Sequence, residues 1–283
     1  MKTAIVFEGG ASRSLFSCGV MDVLLKNEIY CDYIIGASAG ISMGVSYASL
    51  QYKRNYEITK EYMSDKRYMG ARHLIDRKNK SYYNLDFVFN EIPNKLIPFD
   101  YEAYEKYKGN CIAVVTNVNT GKPEYIEVGA EDKCFTALRA SCALPILFPM
   151  IEINGEKYLD GGISDSIPFE KAISDGCDKV IVVLTRERGY IKKTDASVKL
   201  SCKLYKKYPM LCDCLKNRAD NYNEQIKRLR EAESSGKVFV IEPLSTMGVG
   251  RTEKRWEKLL PLYNHGEEVM DIKLSALKKY LEG

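Results

Sequence analysis

A serine hydroxyl works as a nucleophile only where the backbone holds it clear of its neighbours and a base can take its proton. The stretch Gly36-Ala37-Ser38-Ala39-Gly40 has the spacing for the first condition. The apolar run Tyr33-Ile34-Ile35 before it reads as the end of a buried strand, and residues 42–50 after it read as a helix. A sharp strand-to-helix turn brings backbone close on both sides of its central residue, so Gly36 and Gly40 would flank Ser38 as a nucleophile elbow. Gly40, Gly44 and Ala48 recur every four residues, leaving one helix face nearly bare and able to pack very close to its neighbour. Ser38 would then stand at a helix N-terminus, where the macrodipole favours developing negative charge.

The base is less obvious. The chain has two histidines, His73 in a charged segment and His265 between Tyr263-Asn264 and Gly266-Glu267-Glu268. An order of serine, acid, histidine would suit an α/β-hydrolase. The surroundings of His265, however, predict a solvated loop between C-terminal helices. A buried carboxylate can serve instead, and Asp160 is placed for it, at a strand end before Gly161-Gly162. A third feature is Glu8-Gly9-Gly10-Ala11-Ser12-Arg13-Ser14, between a first strand at 2–7 and a helix at 15–26. Such a loop offers unpaired N–H groups to a phosphate or an oxyanion. It does not fit G-x-G-x-x-G, and Gly-Lys-Ser/Thr is absent, so no nucleotide fingerprint is present. Alone, each feature is also an ordinary turn. Together they lie at strand ends, where ligands bind in parallel-sheet folds.

Further strands are predicted at 110–116, 157–159, 179–184 and 237–241, with 124–128 as an antiparallel partner of 110–116. Helices between them imply a mainly parallel sheet covered on both faces, a three-layer α/β/α architecture. Residues 52–100, charged and tyrosine-rich, read as a helical cap or lid-like insertion whose aromatics pack rather than bind. From about 197 the chain reads as helical: 198–208, stopped at Pro209, then 222–232, 253–260 and 269–281.

The 283 residues are 45% apolar and 28% charged, as in a soluble globular protein, and the net charge is +4. From 186 to 230, thirteen Lys and Arg stand against five Asp and Glu, leaving the remainder at −4. Interleaved acids make this stretch a solvated helical face, with contact to an anionic membrane surface as the alternative. A single lysine and a short apolar run ending at Glu8 do not resemble an export signal, and no run of about 18 apolar residues exists. Nine scattered cysteines read as reduced thiols, so the expectation is a cytoplasmic protein, peripheral to the inner membrane face in the alternative. No metal-ligand spacing appears.

The sequence resembles the bacterial patatin-like phospholipases. Glu8-Gly9-Gly10-Ala11-Ser12-Arg13-Ser14 is similar to that family's Asp-Gly-Gly-Gly-x-Arg-Gly loop, with Ala11 and Ser14 in place of glycines. Gly36-Ala37-Ser38-Ala39-Gly40 matches its Gly-x-Ser-x-Gly. Ala140-Ser141-Cys142-Ala143-Leu144-Pro145 resembles its Ala-Ser-x-Ala-x-Pro block, and Asp160-Gly161-Gly162 its Asp-Gly-Gly/Ala. The resemblance covers about residues 2–190 as a catalytic domain; 191–283 would be a helical C-terminal region completing or packing on it. It implies a Ser-Asp dyad, with Ser38 as nucleophile and Asp160 as base. It also implies an oxyanion hole from the N–H groups of Gly9, Gly10 and Ala11, with Arg13 supporting the loop or meeting a substrate phosphate. The implied substrate is a lipid or other acyl ester, with no cofactor and no nucleic-acid partner. Acyl transfer on the same dyad, an esterase using His265, and a non-catalytic lipid- or phosphate-binding protein are the competing readings. If the loop needs positive φ at residue 11, alanine there costs about 1 kcal/mol.

Overall fold

The computed structural model describes residues 1–76 and 80–283. Its strands are β1 (Thr3–Phe7), β2 (Tyr33–Ala37), β3 (Asn110–Asn117), β4 (Pro123–Glu127), β5 (Ile151–Ile153), β6 (Glu156–Asp160), β7 (Lys179–Val183) and β8 (Val238–Ile241). The helices are α1 (Leu15–Lys26), α2 (Ala39–Ala48), α3 (Arg54–Tyr62), α4 (Tyr101–Lys106), α5 (Thr136–Ser141), α6 (Phe169–Ser174), α7 (Val198–Leu204), α8 (Pro209–Ser234) and α9 (Trp256–Glu282). Strands β3, β2, β1, β7 and β8, in that spatial order, are all parallel, while β4, β5 and β6 join at one side through antiparallel pairs, β4 and β6 on β3 and β5 on β6.

The two faces of the sheet are buried separately, as alternation requires. Ile5 and Phe7 of β1 and Ile181 and Val183 of β7 enter one core with residues of α1, α2 and α9. Ala4, Val6, Val180 and Val182 enter another with α6 and the Tyr222–Leu229 part of α8. The predicted three layers are therefore present. The chain moves from β1 outward through β2 and β3, then returns to place β7 on the other side of β1. That reversal opens a crevice at the carboxyl ends of β1, β2 and β7.

The register on β3 sets the site. Val114 pairs with Ala37 of β2 and with Tyr125 of β4, so these strands occupy its two edges. Val115, the next residue, pairs with Glu124 of β4 and with Asp160 of β6. Strand β6 therefore lies on the edge that β2 vacates and runs against it. The carboxyl ends of β2 and β6 meet head-on, with Ser38 and Asp160 at the junction.

The C-terminal third departs from expectation. Pro209 does not stop a helix: it opens α8, where its missing N–H costs nothing at the first turn. The two helices expected at 253–260 and 269–281 are one, α9, continuous through Pro261, Asn264 and Gly266. Gly266 is a packing residue rather than a loop signal. A Cβ there would lie 2.1 Å from the Phe16 carbonyl oxygen of α1, and one on Gly19 would lie 2.2 Å from that of Tyr263. The helix backbones touch at this crossing. Ordinarily Gly→Ala inside a helix gains up to about 1 kcal/mol. Here the clash is with backbone, which no rotamer change relieves, so the helices must separate. Gly266→Ala is expected to lower Tm by about 4 °C or more, while Gly250→Ala, which meets open space, leaves it nearly unchanged. Thermal unfolding of the pair checks this; equal Tm values would mean α1 and α9 cross less closely.

Candidate active site

Ser38 caps α2 with φ 55° and ψ −133°. Side chains rarely accept this conformation, which costs about 1–3 kcal/mol where it persists. It persists because the turn is held on every side. Methyl groups on Gly36 or Gly40 would lie 2.7 Å from carbonyl oxygens of β1 and the residue after it, Phe7 and Glu8. The bare helix face predicted from Gly40 and Gly44 is pressed on Phe7. The Ser38 N–H donates to Ser141 Oγ at 2.8 Å, and the Ser42 hydroxyl lies 3.1 Å from Cys142 Sγ.

Asp160 is buried at the end of β6. Its N–H donates to the Ala143 carbonyl at 2.9 Å, and its Oδ1 accepts from the Gly162 N–H at 2.8 Å. The Ala140–Pro145 block thus pins both sides of the junction, through Ser141 to the serine and through Ala143 to the aspartate. Asp160 Oδ2 is buried with no formed hydrogen bond among the described residues. Burial raises the Asp160 pKa; the Ser38 hydroxyl, the Arg218 charge and the Gly162 N–H each oppose that rise in part. The hydroxyl is close enough to act on the carboxylate, though no hydrogen bond of normal geometry has closed, as is common in ligand-free sites.

The loop after β1 lies against this junction. A Cβ on Gly9 would stand 3.0 Å from that of Ser38. The N–H groups of Gly9, Gly10 and Ala11 find no acceptor among the described residues, so they are free to meet a developing oxyanion. Ala11 does adopt the positive φ, 49°, so the alanine carries the strain a glycine would avoid. Glu8, which the sequence left without a role, anchors the loop. Its carboxylate accepts from the Thr185 N–H at 2.6 Å and from the Tyr222 hydroxyl at 2.9 Å. Arg13 is buried, its Nε has no partner among the described residues, and burial with nearby Arg186 pulls its pKa down to about 10.

Two cavities meet at Ser38, and Ala11 and Leu144 line both. One is apolar, and most of its wall comes from α2, α3, α5 and the π-helical segment Phe87–Leu96. Tyr68, Tyr83 and Phe89 line it, so aromatics of the 52–100 segment do face a cavity, contrary to expectation. The other is cationic, lined by Arg13, Arg186, Lys192, Arg218 and Arg251 as well as Asp160 and Glu8. Part of the basic stretch 186–230 thus turns inward, instead of forming only a solvated face.

His265 is not in a solvated loop: it is buried within α9, its Nε2 accepting from the Leu244 N–H at 3.0 Å beside Phe16. His73 lies 3.0 Å from the Lys66 carbonyl. Neither lines a cavity at Ser38. Cys142 lines the apolar one, but burial pushes its thiol up to about 12, leaving it unreactive. Among the described residues no cluster suited to a metal occurs, and no helix is long and apolar enough to cross a membrane.

Residues 5–173, more than half of the chain, match the family described as patatin-like phospholipase. The chain belongs to the patatin-like phospholipase family. In this patatin-like chain a second match, to a domain of unknown function (DUF6363), covers residues 208–282, the region of α8 and α9. Its relatives include the uncharacterized protein YjjU of Escherichia coli, 26% identical over 65% of this chain and 52% of that protein. Lysophospholipase NTE1 of Candida glabrata is 27% identical over 63% of this chain and 10% of its own. Triacylglycerol lipase 4 of Saccharomyces cerevisiae is 24% identical over 60% and 22%. The matched stretch spans about half or less of each of these relatives.

Proposed function

We propose that this patatin-like protein is a serine acyl hydrolase cleaving acyl esters of lipids, of the phospholipase A or lipid esterase type, with Ser38 as nucleophile and Asp160 as base. One observation carries the reading: β2 and β6 meet end to end on β3, setting Ser38 beside the unpartnered Oδ2 of Asp160 where an apolar cavity opens. The acyl chain occupies the apolar cavity. Asp160 takes the Ser38 proton as Oγ attacks the ester carbonyl carbon. The N–H groups of Gly9, Gly10 and Ala11 receive the oxyanion, a contribution of about 10²–10³ in rate per donor. The carbon–oxygen bond to the alcohol breaks, and Asp160 returns its proton to the departing oxygen. Water, deprotonated by Asp160, then releases the fatty acid and restores Ser38. The names of the relatives, lysophospholipase and triacylglycerol lipase, agree with this chemistry.

A fluorophosphonate probe tests the reading directly. Wild type and His265→Gln are expected to label, Ser38→Ala and Asp160→Asn are not. Absence of labelling in folded wild type would sink it, and loss in His265→Gln alone would point to another base. Ser141→Ala should retain labelling but slow it: the part-buried Ser38 N–H loses its acceptor, a loss of about 1 kcal/mol, and the elbow loosens. A fall of about 10-fold or more in labelling rate is expected; an unchanged rate would show the turn holds without that bond.

A further inference from the structure

The cationic cavity is overbuilt for a neutral alcohol. Arg13, Arg186, Lys192, Arg218 and Arg251 converge on it, against the two carboxylates Glu8 and Asp160. Glu8 is already committed to Thr185 and Tyr222. Of the five cations, only Arg251 has a carboxylate within ion-pair distance among the described residues, Asp195 at 3.5 Å. Arg13 is more than nine-tenths buried, and its Nε is unpartnered there. Arg186 Nε is likewise buried and unpartnered, its guanidinium lying over the Tyr190 ring at 4.0 Å. The Lys192 ammonium sits 3.7 Å from the centre of the Tyr222 ring. Arg218 gives its Nε–H to the Gly162 carbonyl at 2.6 Å.

Like charges gathered in a partly dehydrated cavity repel one another and are stable there only if an anion joins them. Burial, and then the neighbouring Arg218 charge, push the Lys192 pKa down to about 7. An excess of cations over carboxylates suits an anion carrying more than one charge, and arginine forks suit phosphate oxygens. The cavity shares Ala11, Ser38 and Leu144 with the apolar one, so an acyl chain held in the apolar cavity leaves the cationic one for the rest of the ester. Whatever binds there is attached to the alcohol side of the scissile ester.

Resting on the hydrolase reading above, we infer that the preferred substrate is an acyl ester whose alcohol bears a phosphate monoester dianion, as in a monoacyl glycerophosphate. The phosphate lies among Arg13, Arg186, Lys192 and Arg218 while the single acyl chain fills the apolar cavity. Two of those four cations, Lys192 and Arg218, come from the C-terminal region 191–283, so that region contributes headgroup selection as well as packing.

The test compares two esters with one oleoyl chain, monooleoyl glycerol 3-phosphate and monooleoyl glycerol, in wild type, Arg186→Met and Lys192→Met. The ratio of kcat/KM for the phosphate ester to that for the uncharged ester should exceed about 10 in wild type. It should fall about 10-fold or more in each variant, mainly through KM. A wild-type ratio near one, or a ratio the variants leave in place, overturns the inference while leaving the hydrolase reading intact. A binding arm separates the two ideas: Ser38→Ala is titrated calorimetrically with monooleoyl glycerol 3-phosphate and with inorganic phosphate. Tight binding of the lipid that weakens about 10-fold on adding Lys192→Met supports the headgroup site even if no hydrolysis is seen. Inorganic phosphate binding as tightly as the lipid overturns it in favour of a free-phosphate site, and binding of neither overturns it outright.

Discussion

Ser38→Ala is expected to lower lipid-ester hydrolysis at least about 10⁴-fold, with Tm within about 2 °C of wild type. The substitution removes the attacking oxygen and nothing that supports the turn. Its N–H still meets Ser141, and Gly36 and Gly40 still seat the elbow on the backbone after β1. The backbone strain at residue 38 is the same for alanine as for serine, so little stability is gained or lost. If the serine and the aspartate act as one unit, the double variant Ser38→Ala with Asp160→Asn is no slower than Ser38→Ala alone. Residual hydrolysis above about a tenth of wild type in a folded Ser38→Ala protein would remove the serine from the chemistry. Multiplying losses in the double variant would separate the two residues.

Asp160→Asn is expected to act in opposite directions on rate and on stability. The amide keeps the shape and can still accept from the Gly162 N–H, but it cannot take the serine proton, so hydrolysis falls about 10³-fold or more. Stability moves the other way because burial raises the Asp160 pKa above its ordinary 3.8. A carboxyl whose folded pKa lies above its unfolded one holds its proton more tightly when folded. Its contribution to stability is full below pH 4 and is lost as pH rises through the folded pKa. At neutral pH the wild type therefore carries the cost of a buried, incompletely hydrogen-bonded carboxylate, and asparagine does not. Tm values for the two proteins should coincide near pH 4 and diverge as pH rises, with the variant the higher. A variant less stable at pH 8 would mean that Arg218 favours the charge more than burial opposes it. The same physics places the acid limb of kcat/KM above the range of an ordinary aspartate. Because Arg218 lowers the pKa, Arg218→Met should move that limb to higher pH.

The local elements were legible because their signals are local. The helix predicted at 15–26 is α1 to the residue, and β1, β3, β4 and β7 fall within a residue or two of expectation. Strand alternation and the small residues around Ser38 each depend on a few neighbours in the chain. Three misreadings share a signal. Pro209, Gly266 and the loop-like surroundings of His265 all carry loop chemistry in sequence, yet Pro209 is a helix opener, at the first turn of α8, and the other two lie within α9. Tertiary packing of α9 on α1 requires a glycine at the crossing, and that requirement is invisible to a window of neighbouring residues.

The site divides in the same way. The sequence alone determined which residue types were available: a serine in a small-residue turn, an aspartate at a strand end, a loop of free N–H groups, and too few histidines for an easy alternative. Only the tertiary structure decided that Ser38 and Asp160 face each other, because that depends on β2 and β6 sharing one edge of β3 in a register set by long-range pairing. It also decided that Ser141 and Ala143 clamp both partners. The last decision concerned charge. A run of Lys and Arg reads as a solvated face when only its spacing is known. The docking of α8 against the sheet, and the path of the chain after β7, turned Arg186, Lys192 and Arg218 inward beside Ser38 and Asp160. Direction in space, unlike residue type, is fixed only when the elements pack.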